Sequence, residues 1–444
     1  MPSVERLVPT LQQLFTTVAE EAAQSTGCIQ RPTGKFTGAS LCQTLVFGVL
    51  EQPLPHLRSW CQAAAGLGLA VTPQAIDQRL NARTAAMLEQ VLARAIQQVV
   101  TAEGEALPVL QRFQGVYLQD CTQIAVPPAL AGSWPGCGNQ SGPTASVKLG
   151  VRLEVTHGSL QGPTLVPGRI HDREAVTALP PLPPASLRIA DLGFFSLVEL
   201  AAHGASGAYY LTRIQAGTTV FTSDGRKQTL LSLLRKQTET VVDLEVELGV
   251  SQRLPCRLLA IRVPAAVVAH RRQRLQDEGE RRGQPVPPER LALAAWTILA
   301  TNVPRELLTV PEALVLARLR WQIELLFKGW KSGSRQIATW RTEQVDKLRC
   351  EFFAKLLAAV VEHWLLVTTC WDLPDRSLEQ ARQAIRAFAA ALLGALTSTR
   401  HLRQVLAALT RRCRTACRIA PRSRHPAAFQ LLRQPDLLAG WLMP

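Results

Sequence analysis

Three carboxylates stand in local frames that could assemble a metal site: Asp120, Asp191 and Glu324. Asp120 closes the apolar run 115–119 and Asp191 closes 187–190, so each aspartate sits at the end of a strand-like segment. Glu324 lies in the helix-like run Arg320-Trp321-Gln322-Ile323-Glu324-Leu325-Leu326-Phe327-Lys328-Gly329-Trp330-Lys331. At the helical period, Arg320, Glu324, Phe327 and Lys331 share one face, and Trp321 and Leu325 turn to another. Carboxylate oxygens suit hard divalent cations, and carboxylates in mutual proximity repel unless a cation intervenes. Two Mg²⁺ ions held this way can work on a phosphodiester: one activates water or a 3′-hydroxyl, the other stabilises the leaving oxygen. Mn²⁺ accepts the same donors. Arg320 and Lys331 are placed to hold phosphates beside the ions. Spacing alone is weak evidence, because a lone strand-end aspartate is more often a turn or cap residue.

Around these residues the pattern predicts an α/β core with a mixed sheet. Residues 146–156 and 160–166 alternate like strands around His157-Gly158-Ser159, a hairpin signature. The Pro-rich stretch 180–184 reads as a loop, 193–200 turns helical, and 209–212 is another strand. Strand, hairpin, strand, helix, strand is the order of a mixed α/β core, where chemistry gathers at strand ends. A block at about 216–300 looks inserted. Its strand-like pieces 240–248, 256–263 and 294–300 flank a charged stretch, 270–282. The expected stretches are 1–107 (helical, DNA-binding), 108–215 (first part of the core), 216–303 (β-rich insertion), 304–350 (glutamate helix) and 351–444 (basic, helical).

The ends of the chain are helical in pattern. Val4, Leu7, Val8, Leu11, Leu14, Phe15 and Val18 keep one helical stripe. A helix near 54–65 ends at Gly66 and Gly68, and Thr72-Pro73 caps a second that carries Arg79. Two short helices around a glycine turn could be a DNA-reading helix-turn-helix, with a plain bundle of packed helices as the alternative. From Gln380 to Pro435 there is no Asp or Glu, and eight arginines fall within 400–424. That favours contact with a phosphate backbone, and the apolar stretches 387–396 and 405–409 could pair two protomers. The chain of 444 residues has formal net charge +15, and the sequence pI near 9.9 calls for a polyanionic partner. Together with the acids, this points to a metal-dependent enzyme acting on DNA. The most apolar stretch, 356–370, carries Glu362 and His363 and so reads as a buried helix, not a membrane span. No signal peptide is evident at the N-terminus, and a cytoplasmic, nucleoid-associated protein without membrane contact is expected. The ten cysteines contain no C-x-x-C pair, which argues against zinc and for small buried apolar residues.

The words around the three acids resemble the bacterial insertion-sequence DDE transposases, in particular the insertion-sequence-four family. Its Tyr-x-x-Arg-x-x-x-Glu-x-x-x-x-x-x-Lys signature matches Arg320, Glu324 and Lys331 in register. Asp120-Cys121-Thr122 and Asp191-Leu192-Gly193-Phe194 resemble the frames of its two aspartates, and Lys148-Leu149-Gly150 to Gly158 resembles the stretch between them. The resemblance runs from about 110 to 345. It implies an RNase H-like core with a β-rich insertion, flanked by N-terminal and C-terminal helical regions. It implies Asp120, Asp191 and Glu324 as catalytic ligands of two Mg²⁺ ions. Arg320, Lys331, Lys148, Arg79 and Trp296 are the expected DNA contacts, Trp296 by receiving an unstacked base. A homodimer would bind terminal inverted repeats, cut them, and join the ends to target DNA. Two departures stand out: Ala317 replaces the signature tyrosine, and Leu192 replaces an arginine after the second aspartate. They support the rival expectation of an impaired or recruited DNA-binding relic; an RNase H-like nuclease that cuts without joining is a third.

Overall fold

The structure is a computed structural model that describes residues 2–29, 34–104, 107–138, 144–331, 337–420 and 426–433. The chain forms two compact units that cut across the five stretches suggested by the sequence. One comprises 1–105, 121–180 and 322–421; the other comprises 106–120, 181–321 and 422–444.

The second unit is built on a sheet. Its strands are the first half of β1 (Val116–Val126), β4 (Leu187–Ala190), β5 (Tyr209–Arg213), β6 (Thr219–Thr222), β7 (Lys227–Thr229), β8 (Val241–Leu248), β9 (Leu254–Arg262) and β10 (Trp296–Thr301). Their spatial order is β1-β4-β5-β10-β9-β8-β6-β7. β1, β4 and β5 are parallel, and every later neighbour is antiparallel. The inserted block therefore extends the core sheet through β10, which pairs with β5 on one side and β9 on the other. Apart from β1, which runs on past Asp120 to Val126, the predicted strands recur within a residue or two. Two short ones, β6 and β7, were not expected, being too brief for a period-2 signal. The charged stretch 270–282 falls on a helix, Ala265–Arg281, that has no buried residue and is capped by Arg282. The helix after Asp191 begins at Leu197, capped by Ser196, because a 3-10 turn at Leu192–Phe194 comes first.

The first unit is mainly helical. β2 (Ala145–Glu154) and β3 (Leu160–Pro167) form an antiparallel hairpin next to the second half of β1. Six of the seven N-terminal stripe residues are buried; Val18 is half-buried, since the π-helical segment Leu14–Val18 shifts the register of the turn. The helices Leu57–Gly66 and Pro73–Arg79 are where the glycine and Thr72-Pro73 signals predict, and Thr72 Oγ1 accepts from Ala75 N at 3.2 Å. The long helix Val345–Cys370 is buried along nearly its whole length and packs against Gly38–Glu51, Ala82–Ala95 and Thr399–Ala416. Among the described residues, no helix is long and apolar enough to cross a membrane.

Candidate active site

The two aspartates are set by a backbone ladder. β1 and β4 pair with Gln119 opposite Ala190, and one further step brings Asp120 opposite Asp191. Neighbouring strands lie about 4.8 Å apart, so the two carboxylates emerge side by side. Asp191 follows the last residue of β4, as expected. Asp120 lies mid-strand, because β1 continues to Val126 with Thr122, Ile124 and Val126 turned inward; this corrects its expected place at a strand end. Buried residues 116–119 precede it, and the alternation begins after it.

Arg320 lies against both carboxylates. Its Nη1 donates to Asp120 Oδ2 at 3.4 Å, and its Nε is 3.9 Å from Asp191 Oδ1. The helix Val310–Leu319, which ends at Arg320, is itself fixed. A capping box joins Thr309 and Glu312, and Arg112 holds Glu312 at 2.8 Å. Burial alone would raise the Glu312 carboxyl; hydrogen bonds from Arg112 and Thr309 outweigh it and hold the group below its ordinary value. The incoming loop is tied by Arg257, which donates to Val303 O at 2.7 Å and Leu308 O at 3.0 Å and pairs with Asp243 at 2.7 Å.

Glu324 lies on the helix Trp321–Lys331, and Arg320, whose backbone stays helical at φ −50° and ψ −28°, caps the helix before it. Ile323, Phe327 and Trp330 are buried, whereas Glu324 is half-buried and Trp321 is 58% exposed. Asp120 and Asp191 belong to one compact unit and Glu324 to the other. Among the described residues, no three His, Cys, Asp or Glu side chains are gathered closely enough to hold an ion.

The remaining expected contacts vary in setting. Lys331 ends its helix half-buried, next to residues outside the description. Lys148 is buried, pairs with Asp172 at 2.6 Å and donates to Ile170 O. Arg79 is half-buried at the end of Pro73–Arg79, whose Asp77 pairs with Lys347 at 2.5 Å. Trp296 is 8% exposed within the core shared by β5, β8, β9 and β10, and the Arg262 guanidinium lies 4.9 Å from its ring centre. A base could stack on it only after Arg262 swung away. In the C-terminal run, Arg403, Arg414 and Arg418 pair with Glu5, Asp372 and Asp375, while Arg400, Arg411 and Arg412 are exposed. All ten cysteines are free thiols, and Cys42 and Cys370 are typical in being buried.

Residues 112–361 match the family described as Transposase DDE domain. The transposase for insertion sequence element IS231F of Bacillus thuringiensis subsp. israelensis is 26% identical over 381 residues, covering 80% of this chain and 79% of the relative. The transposase for IS231C of B. thuringiensis subsp. berliner is 27% identical over 372 residues, 79% and 77% respectively. The transposase for IS1151 of Clostridium perfringens is 20% identical over 320 residues, 67% and 66%.

Proposed function

The chain belongs to the DDE transposases of bacterial insertion sequences, and from that premise we propose that it carries out cut-and-paste DNA transposition with two Mg²⁺ ions held by Asp120, Asp191 and Glu324. A divalent metal and a DNA substrate go with the family itself; the identity and number of the ions, the order of steps and the ligand set are this proposal. The observation that carries it is the Arg320 guanidinium between Asp120 and Asp191 on neighbouring parallel strands. Two adjacent carboxylates demand positive charge, and a set made only of carboxylate oxygens suits a hard divalent ion.

Bound Mg²⁺ supplies Lewis acidity and a lowered pKa for water or a DNA 3′-hydroxyl. The protein's own groups do the rest. Asp120 and Asp191 are aimed by the β1–β4 ladder. Arg320 contacts its two partners at 3.4 and 3.9 Å, long enough to be exchanged for a phosphate oxygen. Lys331 adds a second cation along the same segment. The helices Leu57–Gly66 and Pro73–Arg79 would read the terminal inverted repeats, and the exposed arginines of Thr399–Ala416 would hold backbone phosphates. Two copies would bring the two ends together.

A supercoiled plasmid carrying the inverted repeats that flank the gene tests this reading. With Mg²⁺ the protein should release the intervening DNA and join its 3′ ends to target DNA, and a chelator should abolish both. An Asp120→Ala protein that cuts like the parent would refute the metal role. Cutting without joining would mark a nuclease, and repeat binding without either a DNA-binding relic, the outcome that Ala317 and exposed Leu192 would then explain.

A further inference from the structure

The glutamate helix carries a glycine near its end, although a helix interior prefers alanine. Gly329 is buried, and a methyl group added there would lie 2.3 Å from Cζ of Arg382 and 2.5 and 2.6 Å from its two terminal nitrogens. The guanidinium therefore fills the space that a side chain at 329 would occupy. Arg382, on the helix Leu378–Ala387, is 3% exposed. Its Nη2 donates to Leu325 O at 3.4 Å, one turn before Gly329 and next to Glu324. Its Nε faces Glu362 Oε1 at 3.4 Å, aligned as an ion pair and not as a hydrogen bond. Glu362 is 1% exposed on Val345–Cys370.

Apolar packing holds a helix against its neighbour but is non-directional, so by itself it resists sliding and rotation poorly. A buried guanidinium is directional and must be answered by an anion. Here the anion comes from the central helix and the remaining contacts come from the backbone of the glutamate helix. One residue of helical rotation swings a side chain through about 100°, so the angular setting of this helix decides where the Glu324 carboxylate points. We infer that Arg382, anchored by Glu362 and seated on Gly329, is a positioning residue that fixes the Glu324 helix for metal binding. This rests on the reading of Glu324 as a metal ligand.

The test uses the full-length protein with Glu324→Gln, Arg382→Gln, Gly329→Ala and the Gly329→Ala/Arg382→Gln pair. Mn²⁺ binding is followed by loss of the free-ion paramagnetic resonance signal. Cleavage of a duplex carrying the flanking inverted repeat is followed across Mg²⁺ concentrations. Gly329→Ala favours the helix intrinsically, so a fall in function cannot be ascribed to helix loss. Arg382→Gln and Gly329→Ala should each weaken Mn²⁺ binding and raise the Mg²⁺ midpoint about tenfold, with duplex affinity in Ca²⁺ within about twofold of the parent. The pair should be no worse than Arg382→Gln alone, because the crowding at 329 is gone. Parental Mn²⁺ binding and midpoint in Gly329→Ala, or additive losses in the pair, would overturn the inference. If Arg382→Gln does not fold, Gly329→Ala decides alone. If Glu324→Gln itself binds Mn²⁺ and cuts like the parent, the metal-ligand reading has failed, and the positioning role falls with it.

Discussion

The aspartates and the glutamate are positioned by different physics. Asp120 and Asp191 are placed by a parallel ladder whose hydrogen bonds are all backbone and whose flanking side chains, Leu118 and Ile189, are apolar and buried. Glu324 rides on a short helix seated against buried charge, Arg382 with Glu362, and the segment that follows it meets a second buried pair, Lys355 with Glu351 at 2.5 Å on Val345–Cys370. A backbone ladder tolerates side-chain changes because its register is set by strand geometry. A buried ion pair does not, because removing one partner strands the other. The strand half of the site should therefore separate chemistry from stability, and the helix half should couple them.

The sharpest way to break this contrast is at Asp120. Asp120→Ala should reduce metal-dependent cleavage by about 10³-fold or more, about 4 kcal/mol of barrier. Its contact with Arg320 is long and partly exposed, so stability should change by less than about 1 kcal/mol. Urea unfolding beside the plasmid assay checks both numbers, and a large loss of stability would erase the distinction. Lys355→Met should do the reverse. Lys355 is fully buried, and besides Glu351 it donates to Thr339 O at 2.6 Å, tying the segment that follows the glutamate helix. Burial pushes the Lys355 ammonium down, and Glu351 supports it. Stranding Glu351 should cost about 3–5 kcal/mol, and a Glu351→Leu/Lys355→Met pair should recover most of that. Equal stability of the single and double variants would show the pair to be dispensable.

The third prediction uses pH. His363 is buried on the same central helix, and its Nε2 donates to Gly158 O at 2.7 Å. Burial is the main cause of its lowered pKa, the carbonyl of Gly158 opposes the shift, and Arg382 and Arg376 add to it, leaving a fall from 6.5 to about 4. The unfolded chain takes a proton at a pH where the fold refuses it. The stabilisation is thus complete above pH 6.5 and lost as pH falls towards 4. At 1.36 kcal/mol per unit this is about 3 kcal/mol. His363→Gln keeps a donor without a titration, so its stability difference between pH 7.5 and 4.5 should shrink by that order. A slope unchanged from the parent would assign the acid sensitivity to other groups.

Much of this architecture was legible in the residues, for identifiable reasons. Thr72-Pro73, Gly66 and the hairpin words at 157–159 act locally, so turns and caps appear where their chemistry predicts. The aspartate frames were legible because apolar runs announce buried strands. What escaped the sequence is what depends on distant partners. Nothing near Arg382 reveals that Gly329 receives it, although a glycine inside a helix was a signal that could have been followed. Lys148 and Trp296 look like ligand-facing groups in their words, yet Asp172 and Arg262, from other elements, occupy them. The break at Arg320 likewise has no Pro or Gly beside it to announce it.

The smallest expected effect falls outside both halves, on the helix Thr399–Ala416, where arginines of one sequence run have two different settings. Arg414, itself exposed, holds Asp372 through both carboxylate oxygens at 2.8 and 2.9 Å, whereas Arg411 and Arg412, also exposed, have no acidic partner among the described residues. An arginine already answered by an acid releases little counterion when DNA arrives; one without an acidic partner releases more. Each phosphate contact contributes about 0.9 to the slope of log affinity against log salt. Arg411→Gln/Arg412→Gln should therefore flatten that slope by about 1–2 and weaken binding several-fold at low salt. Arg414→Gln should leave the slope unchanged and cost at most about 1 kcal/mol of stability, as exposed pairs do. Fluorescence anisotropy of a labelled repeat duplex between low and moderate salt reads both. Equal slopes for the two variants would mean that pairing with acids does not decide which of these arginines meets DNA.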